Sequence, residues 1–320
     1  MENILKIKNL KTQFTIGDKK GLAVDSFDIY LKKGTIHGIV GESGSGKTVT
    51  ALSILRLLPE NGEIISGEIE FKGKDILSIL EEDMRKIRGN EIAMIFQEPM
   101  TSLNPVLSIG EQIIEAIVLH QKISKKQARI KACDILKKVG ITEAEGRLND
   151  YPHNFSGGMR QRVMTAMALS CNPDLLIADE PTTALDVTIQ LQILELLVEL
   201  SKKEGRTLLF ITHDLGVVAE ICDRVTVMYC GKVMEECSVE ELFENPLHPY
   251  TIGLLKSVPR IDMDKNEKLY NISGNIDNIF TKHSGCPFAS RCEIADEKCK
   301  EIVPQLKEIK KGHYARCFKV

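Results

Sequence analysis

Apolar and polar residues alternate in two early stretches. Residues 4–14 alternate as Leu5, Ile7 and then Leu10, Phe14, and Phe27, Ile29 and Leu31 alternate strictly. A period of two predicts half-exposed strands of an antiparallel sheet, and Ile69 and Phe71 within residues 67–73 predict another such strand. Four short runs are instead mostly apolar, at residues 36–40, 92–96, 175–178 and 207–212. Runs of that length predict strands buried on both faces. Helical segments lie between them. Residues 49–58 read as a helix ending at Pro59, followed by helices at 109–119 and 124–139. Ser124 is placed as an N-cap, Ala128, Ile135, Leu136 and Val139 share a face, and Gly140 is a stop signal. Residues 151–155 read as a loop. A helix at 158–170 ends before Asn172-Pro173, and a long one at 187–203 closes near Gly205. Buried strands alternating with helices define an α/β fold with a parallel sheet.

The pattern fades after Pro259. Residues 260–285 are polar and weakly periodic, which predicts a connector. Residues 286–320 hold too few large apolar residues for a core of their own, and a segment so small generally needs a staple such as a metal. Four of the nine cysteines fall there: Cys286, Cys292, Cys299 and Cys317. Of the other five, Cys133, Cys171 and Cys222 lie among apolar helical residues and read as buried thiols, and Cys237 reads as a turn residue. The N-terminus lacks the apolar segment of a signal peptide, and no run is long enough to span a bilayer, so a cytosolic chain is expected. That location favours thiols or metal ligation over disulfides. With 42 basic against 45 acidic residues, a net charge of −3, nothing draws the chain toward nucleic acid.

The chemistry gathers where the buried runs end. Gly41-Glu42-Ser43-Gly44-Ser45-Gly46-Lys47-Thr48 matches G-x-x-x-x-G-K-[ST] without a mismatch, between a strand and a helix. Its glycines let the backbone wrap an anion, with successive N–H groups and the helix N-terminus pointing inward. Lys47 is placed to reach the β- and γ-phosphates of a nucleotide, and the Thr48 hydroxyl to ligate Mg²⁺. Val49 opens the helix behind them. Residues 175–180 form a strand ending in Asp179 and Glu180. Beside a phosphate loop, Asp179 suits a second Mg²⁺ contact and Glu180 a base for the attacking water; in isolation both read as a solvated strand end. Gln97 and His213 close two more strands, and ligands of open α/β sheets sit at that edge. Ser156-Gly157-Gly158 opens a helix as an anion-binding nest or, more plainly, as an ordinary N-cap serine.

Residues 155–162, Phe-Ser-Gly-Gly-Met-Arg-Gln-Arg, resemble the signature motif of ATP-binding-cassette ATPases, with Phe155 and Met159 replacing the usual Leu and Gln. Other positions of residues 1–255 resemble the family in order. Phe14 resembles the aromatic that stacks on adenine, and Gln97 the glutamine that contacts Mg²⁺ and the membrane domain. Ala184-Leu185-Asp186 resembles the loop crossing to the partner subunit, and His213 the histidine that senses the γ-phosphate. The resemblance implies a P-loop NTPase of the nucleotide-binding-domain type. Such a domain has a RecA-like parallel core, an antiparallel β subdomain and a helical subdomain at about residues 100–170, together spanning 1–259. It implies a head-to-tail dimer with each ATP held between the phosphate loop of one subunit and the signature helix of the other. It also implies Mg²⁺ on Thr48, Gln97 and Asp179, and hydrolysis assisted by Glu180, His213, Gln97 and Lys47.

Longer strings at residues 96–105, 151–162, 179–188, 211–218, 248–251 and 257–260 resemble the oligopeptide/dipeptide importer branch, whose nickel-importing relatives are close. The tail, residues 260–320 with spacing C-x5-C-x6-C-x17-C, resembles that branch's C-terminal region. In the branch four such cysteines can hold a [4Fe–4S] cluster, with zinc or plain thiols as the alternatives here. The usual prolines before the first cysteine are missing between Ser273 and Gly285. The implied partners are two transmembrane permease subunits, a second ATPase subunit and an extracytoplasmic substrate-binding protein, with no nucleic acid. The implied place is the cytoplasmic face of the membrane, held peripherally. A nickel importer, a soluble cassette ATPase acting on nucleic acid or ribosomes, and a non-hydrolysing regulatory subunit are the competing readings. One signature motif and the lack of sustained heptads oppose the second, and Glu180 with His213 opposes the third.

Overall fold

The computed structural model describes residues 2–98, 102–182, 187–259, 270–281 and 283–320. Its backbone divides into two units. The first comprises Met1–Glu2, Lys32–Thr35 and Ser78–Phe210, and the second Asn3–Leu31, Ile36–Leu77 and Ile211–Val320.

In the second unit the alternating stretches form β1 (Asn3–Ile16), β2 (Lys19–Lys32), β4 (Gly62–Phe71) and the short β5 (Lys74–Asp75), a four-stranded sheet in the order β2-β1-β4-β5. The β1–β4 pairing is antiparallel, with register shifts between Lys8, Lys11 and Thr12 where the alternation breaks. The apolar run Ile36–Val40 is β3, buried at every position. It pairs in parallel with β9 (Arg224–Tyr229), placing Val40 opposite Val227. Beyond β9 the order continues through β10 (Lys232–Ser238) and β12 (His313–Ala315) to β11 (Lys307–Lys310), all antiparallel. The tail's hairpin is thus an extension of a cassette sheet, and this unit carries both the phosphate loop and the cysteine-rich segment.

The first unit has β6 (Ile92–Ile95) parallel to β7 (Leu175–Asp179), with β8 (Thr207–Thr212) next to β7. The chain passes into the second unit within β8, after Phe210. Helices Ile109–Gln121, Lys125–Lys138, Gly157–Leu169 and Val187–Glu204 lie within a few residues of their predicted positions. Ser108 and Ser124 both form capping boxes, with Glu111 and Gln127 respectively.

Three local expectations need correction. The helix after the phosphate loop is Lys47–Ile54, starting and stopping earlier than the 49–58 predicted. Arg56 takes φ 52, and the Leu57 N–H reaches back to the Leu52 carbonyl, a left-handed helix stop that sequence normally signals with glycine. Residues Pro152–Asn154 are a 3-10 turn within the expected loop. Cys237 is not in a turn: it lies inside β10 and is fully buried, because that strand has neighbours on both sides. Of the thiols expected inside helices, Cys171 is buried while Cys133 and Cys222 are half-buried.

Candidate active site

The phosphate loop is built by close backbone approach. Pairing Val40 with Val227 brings Gly41 beside Met228, and a Cβ at Gly41 would lie 2.2 Å from the Met228 carbonyl oxygen. Gly46 precedes the helix Lys47–Ile54 at φ 102, and a Cβ there would lie 2.4 Å from the Ala23 carbonyl oxygen. Only glycine satisfies both positions. Ser43, Gly44 and Thr48 are exposed, whereas Ser45, Gly46 and Lys47 are buried and Val49 is half-buried. Lys47 Nζ donates to the carbonyls of Gly41 at 2.7 Å and Glu42 at 3.0 Å, which holds the ammonium across the loop. Among the described residues the buried Ser45 Oγ has no hydrogen-bond partner. N–H groups at a helix N-terminus, a cation folded over the loop and a threonine on an exposed position fit a phosphate with its divalent ion.

In the same unit, His213 is exposed just past β8. Its neighbour Asp214 plays a separate, structural part. The Asp214 carboxylate caps the helix Leu215–Ile221, accepting from Gly216 N at 2.8 Å and Val217 N at 3.3 Å. Phe14 is half-buried and sits opposite Gly62, where a Cβ would come within 3.0 Å of its ring. Gly62 therefore leaves that ring its place.

The first unit brings two of the predicted residues into contact. Ile95 of β6 is opposite Ala178 of β7, so two residues further on Gln97 faces Glu180. Gln97 Nε2 donates to Glu180 Oε2 at 3.0 Å. Glu180 itself has φ 45, a conformation costing a non-glycine residue about 1 kcal/mol or more. Asp179, one residue earlier, is only 1% exposed. Ser156 caps the helix Gly157–Leu169, accepting from Met159 N at 3.4 Å, and Ser156 and Gly157 are exposed. Among the described residues no atom lies within 4 Å of where a Gly157 Cβ would stand, whereas one at Gly158 would meet Ile189 Cγ2 at 3.1 Å. Asp186 lies outside the described residues.

The four tail cysteines line one pocket of about 20 Å³, together with Phe288, Pro304 and Phe318. Burial pushes the Cys286 thiol up to about 11, against the Phe288 N–H that favours its thiolate; the other three thiols push it up further. Cys292 and Cys317 are raised, first by burial. Backbone N–H groups two residues on bond three of the sulfurs: Phe288 to Cys286, Ile294 to Cys292, and Lys319 to Cys317, the last at 3.3 Å. Neutral thiols in an apolar pocket gain little from such donors, whereas thiolates around a cation gain much. The donor set fits a thiolate-ligated metal group. A second buried group was not legible beforehand: ligand atoms of Glu235, Cys237 and His313 lie within 4.8 Å of one another. Glu235 accepts from Leu247 N and His248 N, each at 2.8 Å, and His313 Nε2 lies 2.7 Å from it, which gives the group a structural explanation.

A phosphate loop behind a buried parallel strand and a glutamine–glutamate pair at two strand ends define a nucleotide-hydrolysing cassette. Residues 24–183 match the family model described as ABC transporter, and residues 234–299 match that of the oligopeptide/dipeptide transporter C-terminal region. The oligopeptide transport ATP-binding protein AppD of Bacillus subtilis is 53% identical over 99% of this chain and 97% of its own. The oligopeptide transport ATP-binding protein OppD of Haemophilus influenzae is 48% identical over 99% of this chain and 98% of its own. The solved dimer of the ATP-binding cassette MJ0796 in a post-hydrolysis state with ADP and Pi superposes with a TM-score of 0.67. It is 29% identical and covers 73% of this chain and 98% of its own. This chain belongs to the ABC transporter family, within the branch that carries the oligopeptide/dipeptide C-terminal region. It has the cassette fold and is an ATPase. Among the described residues no helix is long and apolar enough to cross a membrane.

Proposed function

We propose that the chain powers peptide uptake as one of two ATPase subunits bound to a pair of permease subunits on the cytoplasmic membrane face, fed by an extracytoplasmic peptide-binding protein. One observation carries the peptide assignment: likeness to peptide-importer ATPases runs through the whole chain and includes the tail, not the cassette alone.

The residues take these roles on MgATP. The remaining backbone N–H groups of the phosphate loop and the Lys47 ammonium hold the phosphates, and Phe14 stacks on the base. Thr48, Gln97 and Asp179 ligate Mg²⁺. Glu180 draws the proton from the attacking water, and His213 contacts the γ-phosphate. Ser156, Gly157, Gly158 and Asp186 serve the nucleotide bound by the partner subunit. Little covalent work falls to the protein, so positioning and charge stabilisation account for the rate. Closure of the pair on ATP and its release after hydrolysis give the transporter its two states. Cys286, Cys292, Cys299 and Cys317 hold a [4Fe–4S] cluster, which supplies cross-linking of a segment too small to pack alone.

The test is ATP turnover by the complete transporter with its binding protein. Peptide-loaded binding protein is expected to stimulate hydrolysis, and Glu180→Gln to reduce it by about 10²-fold or more while MgATP still binds. Stimulation by nickel and not by peptide would overturn the cargo, and unaltered turnover of Glu180→Gln would remove Glu180 from the mechanism.

A further inference from the structure

Glu42 is an odd residue to find in a phosphate loop, since a carboxylate there repels the ligand the loop is built to hold. The tail answers it. Arg291 lies in the 3-10 turn Ala289–Arg291, one residue before Cys292. Its Nη1 donates to Glu42 Oε2 at 2.8 Å and its Nη2 to Glu42 Oε1 at 3.1 Å, a two-pronged pair. The remaining donors are all used: Nη1 to Tyr229 Oη at 3.3 Å, Nη2 to the Ile272 carbonyl at 3.3 Å, and Nε to the Ser273 carbonyl at 2.9 Å. A guanidinium has five N–H groups, and here five acceptors meet them. The Tyr229 and Phe288 rings lie 5.7 Å and 6.0 Å from its centre. The Arg291 side chain is 4% exposed and that of Glu42 31%, so the cation is the fixed member and the loop residue is docked onto it. A second residue grips the same place, for Tyr250 Oη accepts the Glu42 N–H at 3.0 Å.

We propose that Arg291 is a positioning residue of the phosphate loop, through which the cysteine-rich segment sets the affinity for MgATP. It neutralises the Glu42 carboxylate and fixes the start of the loop, so that the loop's uncommitted N–H groups meet the phosphates without a bare negative charge beside them. The inference rests on the ATP-binding role of the loop, and touches neither the hydrolytic base nor the cargo. Lysine cannot replace Arg291, because an ammonium lacks the fork that reaches both carboxylate oxygens and both backbone carbonyls.

A merely structural Arg291 predicts something different, and a double-mutant cycle separates the two. The dissociation constant of the Mg²⁺ complex of AMP-PNP is measured by titration calorimetry on the full-length chain, on Arg291→Gln, on Glu42→Gln and on the double variant. Arg291→Gln is expected to weaken binding about tenfold, the order that one uncompensated like charge near the ligand produces. In the Glu42→Gln background, where no carboxylate is left to expose, the same substitution is expected to change binding by less than about twofold. Raising the salt concentration should shrink the single-variant loss. Should Arg291→Gln not fold, Arg291→Lys runs through the same cycle with a smaller expected loss. Equal losses in both backgrounds, or wild-type affinity in the Arg291 variants, would overturn the proposal. Failure of the unaltered chain to bind the analogue would instead count against the ATP reading itself.

Discussion

Substituting Gly157 separates a structural glycine from one kept small for a ligand. The position is exposed, sits in the first turn of the helix Gly157–Leu169, and has, among the described residues, no atom within 4 Å of where an added methyl would stand. Alanine therefore meets none of the described residues. Helix propensity favours it over glycine by up to about 1 kcal/mol, less at a first-turn position than in a helix interior. Thermal unfolding of Gly157→Ala should thus be unchanged or raised by about 2 °C. If the partner subunit's nucleotide lies against this turn, the new methyl stands where the phosphate must approach the N–H groups. Losing such donors costs about 10²-fold in turnover. The paired control is Gly158→Ala, where Ile189 Cγ2 at 3.1 Å must shift by a few tenths of an ångström, so a change in turnover there is read beside a change in packing. The assay is ATP hydrolysis by the assembled transporter beside thermal unfolding of the isolated chain. Wild-type turnover in Gly157→Ala would refute the reasoning, because the open space would then be space and nothing more.

Other expectations are as direct. Glu235→Ala strips the acceptor from Leu247 N, His248 N and His313, all in buried surroundings, and should lower unfolding stability by about 3–5 kcal/mol in a denaturant titration; a loss below about 1 kcal/mol would mean that the group is not a linked unit. His37 and His248 are each held down to about 3, chiefly by burial, with Arg224 adding to the effect at His37. Their folded values lie below the unfolded value near 6.5, so the stability is complete above that pH and is lost as pH falls from about 6.5 toward 3, at up to about 1.4 kcal/mol per pH unit for each histidine. Replacing His37 by Gln should flatten that slope, and an unchanged slope would acquit it. Anaerobically purified chain should carry about four irons and absorb near 400 nm, and Cys292→Ser should lose both; a colourless, zinc-loaded chain would replace the cluster by a zinc site.

What the sequence made legible was whatever repeats or sits at a strand end. The alternation of Leu5, Ile7 and Leu10 announced β1, and the mostly apolar runs at 36–40 and 207–212 announced β3 and β8 with the same bounds the structure shows. The contact between Gln97 and Glu180 was half legible: both were placed at strand ends, but their pairing needed the β6–β7 register. Polar residues buried by distant partners were not legible. Cys237, following Glu235 and Glu236, reads as a turn residue because nothing local tells that His313 buries beside Glu235, 78 residues away. The same holds more strongly for Glu42 and Arg291, which are 249 residues apart. A left-handed Arg56 also leaves no mark, since its conformation is imposed by the helix stop at Leu57 rather than by its own preference.

The tail's dependence on the cassette has a consequence for how the two communicate. Lacking a core, the segment borrows one: Phe288 packs its ring 5.4 Å from Tyr229 and 5.3 Å from Tyr250, and β12 pairs with β10 through Ala315 and Tyr314. Arg316 adds bonds to the Val233 carbonyl at 2.7 Å and the Pro304 carbonyl at 3.1 Å. Tyr229 and Tyr250 are therefore shared, since each also touches the Glu42 clamp, Tyr229 through Arg291 and Tyr250 directly. Coupling between binding events is reciprocal. If order in the tail tightens MgATP, then MgATP must tighten the tail by the same free energy. Amide hydrogen exchange between residues 286 and 299 should accordingly slow when the Mg²⁺ complex of AMP-PNP binds, and Glu42→Gln should abolish the slowing without affecting exchange in the distant helix Lys125–Lys138. Slowing that survives Glu42→Gln would show that nucleotide reaches the tail by another route, and no slowing at all would mean that the clamp holds the tail in place without transmitting anything.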